Sequence, residues 1–93
     1  MLIFEWDEIK EKENFRKHRV SFADAEAVFY DPFSITIPDS PHSSKENRYI
    51  DIGMSEKFRI LVVVYTERGD RIRIISVRRA TRAERKNYEE KET

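Results

Sequence analysis

The sequence predicts an α+β domain: an opening strand, two N-terminal helices, a three- to four-stranded antiparallel meander sheet and a C-terminal helix. Three observations predict it. Capping residues open helical stretches near both ends of the chain. Runs of alternating apolar and polar residues lie between them. Proline, glycine and short polar residues punctuate those runs as turns do. At 93 residues, the whole span 1–93 reads as one domain.

Leu2 to Trp6 forms a short apolar strand, after which Asp7 can cap a helix from Glu8 to His18. Glu8–Lys12 and Glu13–Lys17 pairs favour that helix, while Ile9 and Phe15 are its few apolar positions, so it should lie on the surface with one edge inward. Ser21 and Asp24 make a capping-box-like start for a second helix, Phe22 to Tyr30, with Phe22, Ala25 and Phe29 as a core stripe and Asp31-Pro32 as its stop. Phe33 to Ile37 alternates as a half-buried strand does, and the stretch from Pro38 to Asn47 reads as an exposed loop. Arg48 to Met54 alternates through Ile50 and Ile52. Phe58 to Thr66 is apolar on both faces in its middle, the mark of a central strand. Glu67-Arg68-Gly69-Asp70 is a hairpin turn into the last strand, Arg71 to Arg79. Thr81-Arg82-Ala83-Glu84 is a capping box opening a helix to about Glu90. The helices are expected on one face of the sheet.

Composition excludes several kinds of chemistry. Without cysteine there is no disulfide, no thiol redox chemistry and no cysteine-ligated zinc. The only glycines, Gly53 and Gly69, cannot build a dinucleotide fingerprint, a P-loop or a nucleophile elbow. Two histidines far apart make a dedicated zinc site improbable, and neither a cofactor nor a metal is expected. The longest apolar run, Ile60 to Tyr65, is far short of the ~20 residues a bilayer span needs. No signal-peptide pattern opens the chain, so a cytoplasmic location is expected.

The net charge of zero conceals an asymmetry, with acids in excess in the first half and bases in the second. Between 68 and 86 stand Arg68, Arg71, Arg73, Arg78, Arg79, Arg82, Arg85 and Lys86 against only Asp70 and Glu84. Arginine's planar fork suits bidentate phosphate contacts, so the segment reads as a localised anion site. In a regular strand Arg71, Arg73 and Arg79 share one face, with Ser76 and Arg78 opposite. The Ile74-Ile75 doublet hints instead at a bulge that would group Arg71, Arg73, Ser76 and Arg78. A helix N-terminus opened by Thr81 lies beside them and also favours an anion. The plainer reading is an edge strand whose solvated arginines discourage aggregation.

Other candidates carry two readings each. His18 can cap the first helix electrostatically or transfer protons. His42, with Lys45 nearby in the polar loop, can titrate near neutrality or be solvated decoration. Trp6 can pack in the core or stack on a base. Two helices joined by Arg19-Val20-Ser21 suggest a helix-turn-helix, but the second carries Asp24 and Glu26 with no Lys or Arg, and phosphate repels an acidic helix.

Phe4-Glu-Trp-Asp7 with Lys10, Asn14 and Lys17-His18, followed by Ser21-Phe22 and Phe29, resembles the N-terminal pattern of the BrnT family of toxins. Arg73-Ile-Ile-Ser-Val-Arg-Arg-Ala-Thr81 with Glu84 and Arg85 resembles that family's C-terminal signature. The resemblance spans nearly the whole chain. It implies a RelE-like ribonuclease fold and a BrnA-type antitoxin whose ribbon-helix-helix domain binds the operon's DNA, so that the toxin meets DNA only indirectly and the complex represses its own transcription. It also implies metal-free cleavage of RNA, by attack of the 2′-hydroxyl on the adjacent phosphorus, and hence inhibition of growth. In that reading Arg78 stabilises the phosphate, with His42, His18 and Lys17 as further catalytic candidates. Arg71, Arg73, Arg79, Lys45 and Trp6 would contact RNA. One departure stands out: the family usually has glycine after its Lys-His pair, where this chain has Arg19, an expected cost of about 1 kcal/mol if the position takes positive φ. The competing class is a nonenzymatic module whose arginines meet an acidic antitoxin segment and which serves only as its co-repressor.

Overall fold

A computed structural model describes residues 2–39 and 46–92. The chain runs through β1 (Ile3–Glu5), α1 (Glu8–His18), α2 (Phe22–Ala25), a 3-10 helix (Glu26–Tyr30), β2 (Ile35–Pro38), β3 (Arg48–Met54), β4 (Ile60–Arg68), β5 (Arg71–Arg79) and α3 (Arg82–Glu92). The five strands form one mixed sheet in the order β1-β5-β4-β3-β2. β2 to β5 are the expected antiparallel meander. β1 departs from it, pairing parallel with β5 through Ile3–Arg71, Phe4–Ile72 and Glu5–Arg73. The meander leaves two free edges, those of β5 and β2, and β1 takes the outer side of β5, from which α1 leads the chain across the sheet.

Each end of α1 is stabilised locally. Asp7 accepts hydrogen bonds from the Ile9 and Lys10 amides at 2.8 and 3.1 Å, which also hold its carboxyl below the usual range. Arg19 closes the helix in the left-handed conformation, φ 58°, its amide donating to the Phe15 carbonyl at 2.8 Å. This is the strained position that the Arg-for-Gly departure suggested. Its guanidinium lies over the Phe15 ring at 5.9 Å, a partial offset to the strain.

The anchor of α1 is polar. Ile9 and Phe15 are exposed, and the buried residue of the helix is Asn14. Its side-chain amide donates to the Val77 carbonyl at 2.9 Å and accepts from the Val77 amide at 3.2 Å, with a longer contact to the Val20 carbonyl at 3.4 Å. Val77's backbone groups point away from β4 here, so Asn14 does for the open edge of β5 what a neighbouring strand would do.

The second helix is shorter than expected, turning into a 3-10 helix after Ala25. Phe22, Ala25 and Val28 are all fully buried at spacings of three, which matches three residues per turn better than 3.6. β2 starts two residues late because Asp31 forms an Asx turn, accepting from the Phe33 amide. β4 starts at Ile60, not Phe58, because Phe58 sits in the preceding turn at φ 59°.

Both sheet faces are covered, against the expectation of helices on one face. Leu61, Val63, Tyr65, Ile72, Ile74 and Val77 pack under Val20, Phe22, Ala25 and Val28. On the other face Ile52 and Val62 pack under Tyr88 of α3. β4 is apolar on both sides, so a cover is needed on each. The Tyr88 hydroxyl donates to Asp31, whose carboxylate also accepts from the Met54 amide at 2.9 Å, tying α3 to the end of β3. Trp6 is half-buried, edge-on to Phe22 at 5.9 Å between ring centroids, and so serves the core. Gly53 is required by packing, since a Cβ there would lie 2.9 Å from the Val28 side chain.

Two outcomes are expected in urea denaturation. Asn14→Ala should lower stability by about 2–4 kcal/mol, because both Val77 backbone groups lose buried partners. Arg19→Gly should raise it by up to about 1 kcal/mol by relieving the left-handed strain.

Candidate functional site

The register of β5 decides which arginines stand together. Ser76 pairs with Val64 and Ile74 with Tyr65, so Ile75 is an extra residue opposite the Val64–Tyr65 step. This bulge is the one the isoleucine doublet suggested. It puts Arg71, Arg73, Ser76 and Arg78 on the α3 face, and Ile72, Ile74, Val77 and Arg79 on the other.

The guanidiniums on that face do not converge on empty space. Arg78 forms a bidentate pair with Glu84 at 2.8 and 2.9 Å and also donates to the Arg79 carbonyl at 3.2 Å. Glu84 in turn accepts from the Thr81 amide at 2.8 Å, and its own amide donates to the Thr81 hydroxyl at 3.2 Å. Arg78 is thereby built into the capping box that starts α3. Its hydrogen bonds are the main influence on Glu84, holding that carboxyl at a pKa of about 2. Arg73 lies 3.3 Å from Glu5 of β1, and Arg68 pairs bidentately with Glu46 at 2.7 and 2.9 Å. Arg71 is exposed.

A separate cleft of about 530 Å³ opens where α1 passes the bulge. Lys10, Glu13, Asn14 and Lys17 recur along one side of the helix and line it together with Arg16 and His18. Ile75 and Ser76 line the opposite wall. β1 pairs only with residues 71–73 of β5, so the edge beyond is open to α1 and to solvent. The bulge turns Ile75 toward that gap, while Asn14 holds the helix against Val77 just beyond. Four bases and one acid line the cleft if His18 is counted among the bases. Such a wall can hold an anion and move a proton at His18.

The structure therefore brings together Lys17 and His18 and joins to them Arg16, Lys10, which sequence reasoning noted only as part of the family pattern, and Ser76, which it grouped with the strand arginines. The spacing of seven between Lys10 and Lys17 carried that signal for Lys10. Arg78, Arg71 and Arg73 stand on the sheet face and do not line the cleft; Ser76 belongs to both surfaces. Arg79 lines a different hollow. His42 and Lys45 lie outside the described residues. Among the described residues, no group of three or more His, Asp or Glu could hold a metal ion. No helix is long and apolar enough to cross a membrane.

Removing the Arg78 partner tests the stapling role. Glu84 keeps a lowered pKa in the folded state, so its stabilisation is present above pH about 4.5 and is lost as pH falls toward about 2. Glu84→Gln should cost on the order of 1–2 kcal/mol at pH 7, after discounting for solvent screening, and flatten the acid limb of a stability–pH curve.

Residues 6–84 match the model of a family described as the ribonuclease toxin, BrnT, of a type II toxin–antitoxin system. The crystal structure of the Brucella abortus ribonuclease toxin BrnT is similar, with a TM-score of 0.70 and 27% sequence identity. The alignment covers 88% of this chain and all of that one. A search of curated proteins found no match.

Proposed function

This chain belongs to the BrnT family of ribonuclease toxins of type II toxin–antitoxin systems, and from that premise we propose that it cleaves RNA without a metal in the cleft between α1 and the β5 bulge. The observation that carries this reading is the cleft itself, where Lys10, Lys17 and His18 stand on one wall and Ser76 on the other. The 2′-oxygen attacks the neighbouring phosphorus while the bond to the 5′-oxygen breaks. A base takes the 2′-hydroxyl proton and an acid returns one to the leaving 5′-oxygen, leaving a cyclic phosphate and a 5′-hydroxyl. Lys10 and Lys17 stabilise the charge that builds on the phosphoryl oxygens. His18 is the proton-transfer group within the cleft, and His42 is the second candidate. Arg71 and Arg73 guide the strand past Ser76. Arg78, its fork filled by Glu84, chiefly holds the start of α3 in place.

The partner in this reading is a BrnA-type antitoxin with a ribbon-helix-helix domain. It covers the basic surface, carries the complex to its operator DNA and so closes an autoregulatory loop in the cytoplasm. The pairing of Arg73 and Arg78 with carboxylates of their own chain favours a second reading, in which the protein binds its antitoxin and acts only as co-repressor.

Incubating the purified protein with RNA in EDTA, with and without ribosomes, separates the two. Cyclic phosphate ends support the nuclease, and intact RNA in every condition supports the co-repressor. Lys17→Ala and His18→Ala should each lower the cleavage rate by about 10²-fold or more while leaving thermal unfolding nearly unchanged. Parental rates in both would remove these residues from the mechanism.

A further inference from the structure

At the end of the sheet where β4 begins and β5 finishes lies a hollow of about 500 Å³, lined by Phe58, Arg59, Arg79, Arg85 and Glu89 among others. Phe58 is unusual in two ways. The residue is 86% exposed, and its backbone is left-handed, φ 59°, a conformation bulky side chains avoid. The turn nevertheless holds it firmly. The Ser55 amide donates to the Arg59 carbonyl at 2.8 Å, the Phe58 amide to the Ser55 carbonyl at 3.1 Å, and the Arg59 amide to the Ser55 hydroxyl at 3.2 Å. Arg59 is spoken for by Asp24 at 2.6 Å, although its buried Nε has no partner among the described residues. The side chains of Arg79 and Arg85 form no hydrogen bond or ion pair among the described residues.

We propose that this hollow binds a nucleotide flanking the cleaved bond, with its base stacked on Phe58 and its phosphate held between Arg79 and Arg85. The proposal rests on the reading of RNA as substrate. An exposed flat ring beside unpaired guanidiniums is the pairing of groups that holds single-stranded nucleic acid. Glu89 on the rim repels any anion, peptide carboxylate or phosphate alike, but it can accept from a base amino group. The exposed Phe58 ring offers a stacking face that a base fills and an acidic side chain does not. Ser76 and Arg79 are three residues apart, roughly 10 Å along β5. Their side chains leave opposite faces of the strand, but an oligonucleotide of a few residues is long enough to run from the open edge to the hollow at the strand's end.

Fluorescence anisotropy with a 2′-O-methyl oligoribonucleotide, whose blocked hydroxyls prevent cleavage, tests it. Phe58→Leu should weaken binding by about 5- to 100-fold, the range expected for losing one stacked base. Phe58→Trp should keep the affinity, and its indole emission should be quenched as RNA is added. Arg79→Ala and Arg85→Ala should each reduce the salt dependence of binding. Parental affinity for Phe58→Leu, or an unquenched indole, overturns the proposal, as does a Phe58→Leu variant that loses only the antitoxin. If the unaltered protein neither binds nor cuts RNA, the substrate reading falls too. If it does both and Phe58→Leu is indistinguishable from it, only the flanking site is lost.

Discussion

The amide of Asn14 is the contact on which the arrangement turns. It reaches from a polar surface helix to both backbone groups of Val77, the first residue past the pair that flanks the bulge. A strand edge left bare at that point would expose a donor and an acceptor within an otherwise apolar contact. Filling it with a side chain instead of another strand leaves a gap beside the bulge, and the basic side of α1 lines that gap. The helix needs little apolar surface of its own because this amide, together with Val20 and Phe22 just downstream, fixes its position.

Arginine density and arginine availability diverge in this chain. The last strand and the helix after it are rich in guanidiniums, yet Arg68, Arg73 and Arg78 each contact a carboxylate. Glu84 is held most firmly, and its pairing with Arg78 makes the junction of β5 and α3 a fixed corner. Partly exposed pairs of this kind contribute little net stability each, but they set where side chains point. A substrate phosphate arriving at Arg78 would have to compete with a bidentate internal partner. At Lys10 and Lys17 it would not face that bidentate partner, which is why the proposed site is placed on the helix side and not on the strand.

Among the described residues, left-handed strain falls on two non-glycine positions, and both border a hollow or a cleft. Arg19 takes the left-handed conformation immediately after His18, and Phe58 takes it beside Arg59 and Arg79. In each case backbone hydrogen bonds hold the residue where side-chain sterics disfavour it. Arg19 recovers part of the cost over Phe15, whereas Phe58 has no ring partner among the described residues.

The sequence alone determined the element order, the capping of both long helices, the two-sided apolarity of β4 and the family, because these follow from residue spacing and local chemistry. It hinted at the bulge through the Ile74-Ile75 doublet but left the regular register open, and only the pairing with β4 decided between them. The parallel docking of β1, the placing of α3 on the opposite face and the 3-10 turn were decided only by the tertiary structure, because each depends on which surfaces remain uncovered once the meander has formed. The site divides the same way. Lys17 and His18 were candidates from their residue types and the family pattern, but their grouping with Lys10 and Ser76 and the capture of Arg78 by Glu84 depend on distances between different elements. The first of those groupings exists only when Asn14 has closed α1 onto the edge of β5; the second is set where β5 passes into α3.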